Sequence, residues 1–222
     1  MIDTSKGKKT TEKGSIEMEQ KNQTVTKLAQ TAILAALCYV SFTYLQIKIP
    51  MPGGDATSLH IGNAFCVLGA LLLGGWYGGL AGAIGMGIAD IMDTIYITGA
   101  PKTFFLKLCI CLIVGLVAHR IAKINESDDK AYVFKWSTIA AVAGLGFNVI
   151  ADPLVGYFYK MYILGQPQQM AEVLAKWSTA TTFVNAVVST VLVSVLYNAV
   201  RPILLRSGLM LKQEKRTGVL KH

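Results

Sequence analysis

The sequence predicts an all-α membrane protein, a six-transmembrane-helix bundle with both termini in the cytoplasm, and three observations predict it. Only 15% of the 222 residues are charged, against roughly 25% in an ordinary soluble domain, and the mean hydropathy is +0.47. Uncharged apolar blocks recur that are long enough for spans of about 20 residues. Lysine and arginine avoid those blocks and gather near both ends and in one loop, which is a topology signal in a membrane chain.

The first element is a polar leader, 1–26, rich in lysine and expected to be disordered. It delays the first apolar block too long, and mixes lysine with glutamate too freely, for a cleaved signal peptide. Met18 offers an alternative start to Met1. Six spans follow, near 27–45, 61–76, 78–96, 102–122, 134–157 and 177–200, making one membrane domain over 27–203. A basic cytoplasmic tail, 204–222, closes the chain.

Orientation follows from the cations. With the amino terminus inside, sixteen of the 21 Lys and Arg residues fall on the cytoplasmic side, leaving Lys48, Lys102, Lys107, Lys160 and Lys176 outside. Tyr157, Phe158, Tyr159 and Tyr162 then cluster at the outer interface, with Trp177 opening the return helix. Three outer loops result. The first, IKIPMPGGDATSLH, is too polar to lie in hydrocarbon and too long for a mere turn, so it is suited to fold over a cavity. The second is the tight ITGAPK, and the third runs over 159–176.

Glycine crowds the turn between the second and third spans. GAIGMG superficially resembles a nucleotide-binding turn, but no strand precedes it, no GK[ST] follows, and the flanks are apolar. Placed on helices, Gly74, Gly78 and Gly82 recur every four residues, as do Gly75, Gly79, Ala83 and Gly87, a spacing that lets neighbouring backbones approach. Ala32 and Ala36, with Ala35 beside them, make a similar strip on the first span. The four cysteines, Cys38, Cys66, Cys109 and Cys111, lie in apolar segments without metal-ligand spacing and read as small buried hydrophobes.

Polar groups inside the spans carry the functional signal, because each costs several kcal/mol in a bilayer unless it faces an aqueous cavity or a partner. His60 and Asn63 open the second span. Asp90 and Asp93 lie three apart near the outer end of the third, and Lys107 sits one to two turns into the fourth, close enough in topology to pair with one of them. Asn148 and Asp152 are four apart in the fifth, while Thr181, Thr182 and Asn185 mark the sixth. Structural ion pairs are the ordinary alternative for any one of these. Their convergence at one level predicts a pocket open to the outside.

No catalytic constellation accompanies them. His60, His119 and His222 are scattered, and there is no HExxH, no G-x-S-x-G and no phosphate loop, so the chain does not read as an enzyme and no cofactor or metal site is expected. The basic residues form no aromatic-interleaved face, which argues against nucleic acid.

The order of these features resembles the substrate-binding S component of energy-coupling factor (ECF) vitamin transporters, in the riboflavin-type branch that also takes thiamine precursors, vitamin B6 and pantothenate. The resemblance is carried by the alanine strip, the polar outer loop, LHIGNAFCVLGALLLGGWYGGLAGAIGMGIADI and TFFLKLCICLIVGLVAHR, and spans 27–203. It implies a multi-pass protein of the prokaryotic plasma membrane that binds a vitamin outside and docks on a membrane coupling subunit bearing two ATPase subunits. Carried over by residue, Ala32, Ala35 and Ala36 would dock the coupling subunit. His60, Asn63, Asp90, Asp93 and Lys107, with Asn148, Asp152, Thr182 and Asn185, would be the substrate-binding candidates. One departure concerns the sixth span, which reads ATTFVNAV where many relatives carry Pro-x-Asn-x-x-Gln. The carboxamides and paired charges favour a small polar vitamin such as hydroxymethylpyrimidine or pyridoxine, with riboflavin and pantothenate as the other candidates. The rival function from the residues alone is a stand-alone proton-coupled secondary transporter, its Asp and Lys residues forming a relay.

Overall fold

The computed structural model describes residues 4–207, 209 and 210, with side chains at 18 and from 21 onward. The first helix, α1, runs over Thr4–Tyr44. Between 15 and 44 it contains neither glycine nor proline, so nothing local breaks it, and it continues across position 26, where the sequence reading places the end of a leader. Most of the basic tail, including Lys212, Lys215, Arg216 and Lys221, lies outside the described residues, as does His222.

The first outer loop departs from the all-helical expectation. It folds as an antiparallel hairpin, β1 (Gln46–Pro50) and β2 (Ala56–His60), in register from Gln46↔His60 to Pro50↔Ala56. Gly53 and Gly54 turn the chain at φ 81° and 78°, values that side chains resist and glycine accepts.

Helices α2 (Gly62–Leu73) and α3 (Gly75–Met92) are joined by Gly74 alone, at φ 90° and ψ 163°. Packing after so short a turn is tight. A β-carbon at Gly78 would fall on the backbone of Gly69 and Ala70, and one at Gly85 would meet the Ala35 carbonyl of α1. The glycine spacing therefore serves helix contact inside the bundle.

A short 3₁₀ turn, Ile97–Gly99, leads into α4 (Ala100–Gly115), which carries Pro101 in its first turn and widens into a π segment, Leu116–Ile121. Helix α5 (Lys130–Phe158) starts at a cap in which the Asp129 side chain accepts from the Ala131 N–H at 2.9 Å. After a second π segment, Tyr159–Ile163, α6 runs over Gln168–Arg206. Residues 168–176, read from sequence as outer loop, are thus the opening turns of α6.

Four segments, Lys21–Tyr44, Ile97–Ile121, Lys130–Ile163 and Gln168–Arg206, are long and apolar enough to cross a membrane. Helix α3 packs on α1, α2 and α4, and α5 packs on α4 and α6. The core between them holds Leu34, Val67, Leu71, Met86, Ile110 and Tyr197. Cys38, Cys66 and Cys111 are buried and Cys109 partly so, all as free thiols, with the sulfurs of Cys66 and Cys111 3.1 Å apart. Val184, Val187, Val188, Val191 and Val195 of α6 face outward, the apolar exterior that lipid rather than water tolerates.

Candidate functional site

The hairpin roofs a cavity of about 290 Å³. Its walls come from α2, α3, α4, α5 and α6, and its rim from the connections after α3 and α5. Interactions with α6, with the second π segment and with the residue that follows α3 hold the roof down. The Asn185 amide of α6 donates to the Ser58 carbonyl at 2.8 Å and accepts from the His60 N–H at 3.0 Å, taking the place of a neighbouring strand along β2. Thr57 and Thr181 share a hydroxyl hydrogen bond at 2.7 Å. Lys160 of the second π segment is ion-paired with Asp55, and Lys48 of β1 with Asp93.

Below the roof, Asp152 is the centre of one wall. It accepts from Lys102 Nζ at 3.0 Å, Ser178 Oγ at 2.6 Å and Thr182 Oγ1 at 3.3 Å. Ser178 and Thr182 are one helical turn apart, so one face of α6 delivers both hydroxyls. Deeper in, Lys107 donates to Asn63 Oδ1 at 2.8 Å, and Asp90 and Asn148 are buried at the cavity lining. The His60 ring meets Phe42 edge-on at 4.7 Å between centroids. Burial, with the Lys107 charge adding to it and Asp152 opposing, pushes His60 down to about 3, so its imidazole is neutral at physiological pH.

Eight of the nine substrate-binding candidates line this cavity: His60, Asn63, Asp90, Lys107, Asn148, Asp152, Thr182 and Asn185. Asp93 does not. It follows the last residue of α3 with extended backbone, φ −106° and ψ 117°, so helical spacing no longer carries it to the face of Asp90, and it fastens β1 instead. The expected pairing of Lys107 with Asp90 or Asp93 is replaced by the bond to Asn63. Asp55, Lys102, Lys160 and Ser178 also line the cavity and were not singled out as site residues. Ser178 had a readable signal, four residues before Thr182, whereas Asp55 and Lys160 meet only once the hairpin closes.

The alanine strip divides. Ala32 and Ala36 are exposed on the outer face of α1, while Ala35 is half-buried, its carbonyl against Gly85 of α3. Among the described residues no cluster of His, Cys, Asp and Glu is arranged to hold a metal ion.

The arrangement is a partly open, largely polar cavity beneath the hairpin. The family model described as ECF-type riboflavin transporter, S component, matches residues 22–202. No curated protein and no solved structure matches the chain.

Proposed function

The chain belongs to the ECF-type riboflavin transporter S components, multi-pass vitamin carriers of the cell membrane, and from that membership we propose that it captures a small water-soluble vitamin outside the cell. Uptake is then driven by ATP hydrolysed in two partner subunits, through a membrane coupling subunit. All six helices take part in the membrane domain in this reading, with both termini cytoplasmic.

The observation that carries the choice of ligand is the cavity. About 290 Å³ lies at the lower edge of the usual range for small-molecule sites, and its deep lining is dominated by amides, hydroxyls and charges. Large apolar and aromatic liners, among them Phe42, Met86, Tyr96 and Leu174, are outnumbered by polar ones, a balance that suits a fused tricyclic flavin less. A single hydroxymethyl-bearing ring, hydroxymethylpyrimidine or pyridoxine, suits this volume and polarity better. Buried polar groups left unpaired by a wrong ligand would supply the discrimination.

The test is mass spectrometry of small molecules retained by the purified protein. A monocyclic vitamin or precursor is expected, and recovery of riboflavin or pantothenate would overturn the choice. For docking, Ala32→Trp and Ala36→Trp should abolish uptake in the assembled transporter while leaving ligand binding intact. Proton-driven uptake by vesicles containing this chain alone would replace the reading with a secondary transporter.

A further inference from the structure

Three aspartates and three lysines line the cavity. Two couples are closed, Lys160 with Asp55 and Lys102 with Asp152 at 3.0 Å. The third is open. Asp90, 3% exposed, has the Thr103 side chain as a hydrogen-bond partner and Lys107 is 7% exposed, but among the described residues neither makes an ion pair. Lys107 donates to the neutral amide of Asn63, which leaves two of its three hydrogens available. Two further groups at the same lining are unfilled: Asn148, 2% exposed, has its side-chain oxygen buried without a hydrogen-bond partner, and so does the Nδ1 of His60.

Buried charges are stable only when paired and hydrogen-bonded. An anionic ligand would satisfy Lys107 but set a like charge near Asp90, and a cation would do the reverse. A ligand with a donor at one edge and an acceptor at another satisfies both. We propose that the ligand is dipolar and bridges the open couple, donating a ring N–H or amino group to the Asp90 carboxylate while an electron-rich oxygen or ring nitrogen accepts from Lys107.

This rests on the cavity being the vitamin site, but not on which vitamin occupies it. The flavin ring also carries an N–H between two carbonyls, so recovery of riboflavin would overturn the small-ring reading and leave the dipolar one to be judged by Asp90 and Lys107.

The experiment measures equilibrium binding of hydroxymethylpyrimidine, pyridoxine, riboflavin and pantothenate to the full-length purified chain. For the ring compound that binds, affinity is measured again with Asp90→Asn, with Lys107→Met, and on the unaltered protein with the analogue whose donor nitrogen is methylated. Each change should weaken binding by about 10- to 100-fold, the range for a charge-assisted hydrogen bond. The methylated analogue needs no substitution, so a variant that fails to fold does not shelter the proposal. Retention of affinity within about threefold by the analogue or by both variants overturns it, as does binding of pantothenate alone or of none of the four.

Discussion

The two ends of the bundle bury polar groups in opposite ways. At the roofed end, Asp90, Lys107 and Asn148 face a volume that no side chain fills. At the other end, polar side chains are spent on backbone. Arg201 donates to the carbonyls of Ile124 at 3.1 Å and Ser127 at 3.0 Å, Tyr132 donates to Ala122 at 3.0 Å, and the His119 ring lies 3.0 Å from the Ala70 oxygen. Glycines close the gaps there, with Gly115 set against Gly75. The inner end spends its bonds on backbone, although Asn125, His119 Nδ1 and Arg201 Nε keep buried atoms without partners there, whereas the unpaired groups of the roofed end, the Asn148 oxygen and His60 Nδ1, border a cavity. On the proposed function, stability and recognition fall to different halves of the same helices.

Substitutions can break that division. The largest effect is expected from Gly78→Leu, whose side chain collides with the backbone of Gly69 and Ala70. Overpacking against backbone that cannot move should exceed about 4 kcal/mol and abolish monodisperse protein on size exclusion. A well-folded variant would show that the inner turn is looser than its geometry. Next, Arg201→Met should lower stability by about 2–4 kcal/mol through two lost charge-assisted bonds and two orphaned carbonyls, read as a fall in Tm. Ligand affinity should stay within about threefold, and an equal loss of affinity would mean the ends are coupled.

At the roofed end, Asn185→Ala removes two of the bonds that hold β2 and leaves the Thr57–Thr181 bond. Its stability loss should be smaller, about 1–2 kcal/mol, while ligand release quickens by about tenfold or more. Unchanged dissociation would deny the hairpin its role as a cover. The smallest effect concerns pH. His60 lies at about 3 in the fold against an ordinary 6.5, so the unfolded chain binds the extra proton in between. Its contribution is fully present above about pH 6.5 and is lost as pH falls toward 3. His60→Gln should flatten that part of the stability profile, and a slope unchanged by the substitution would assign it to other groups.

Much of the helical plan could be read from the chain because lipid imposes long uncharged blocks and close helix contact imposes small residues, as at Gly74 and Gly78. The hairpin was partly legible too. Ile47 and Ile49 alternate with Gln46 and Lys48 in β1, but the two prolines and paired glycines around them read more strongly as loop. Asp90 and Asp152 could be brought to one level from helical spacing alone, whereas the partner of Lys107 could not, because the choice between Asn63 and the aspartates depends on side-chain reach across three helices. Asp93 shows where periodicity stops: one residue past a helix end, the backbone rather than the spacing decides direction.

The brevity of α2 has a consequence for depth. Twelve residues rise only about 18 Å against about 30 Å of hydrocarbon, so on the proposed topology, with the Gly74 turn at the cytoplasmic boundary, the other end of α2 lies well short of the outer headgroups. Asn63, at its start, would then sit about 12 Å below the outer hydrocarbon boundary, and the hairpin would occupy the missing layer. Occupancy of the chamber should therefore respond to bilayer thickness, with weaker ligand retention after reconstitution in short-chain lipids, whose headgroups and water reach down to the seam between β1 and α3 that Lys48 and Asp93 hold shut.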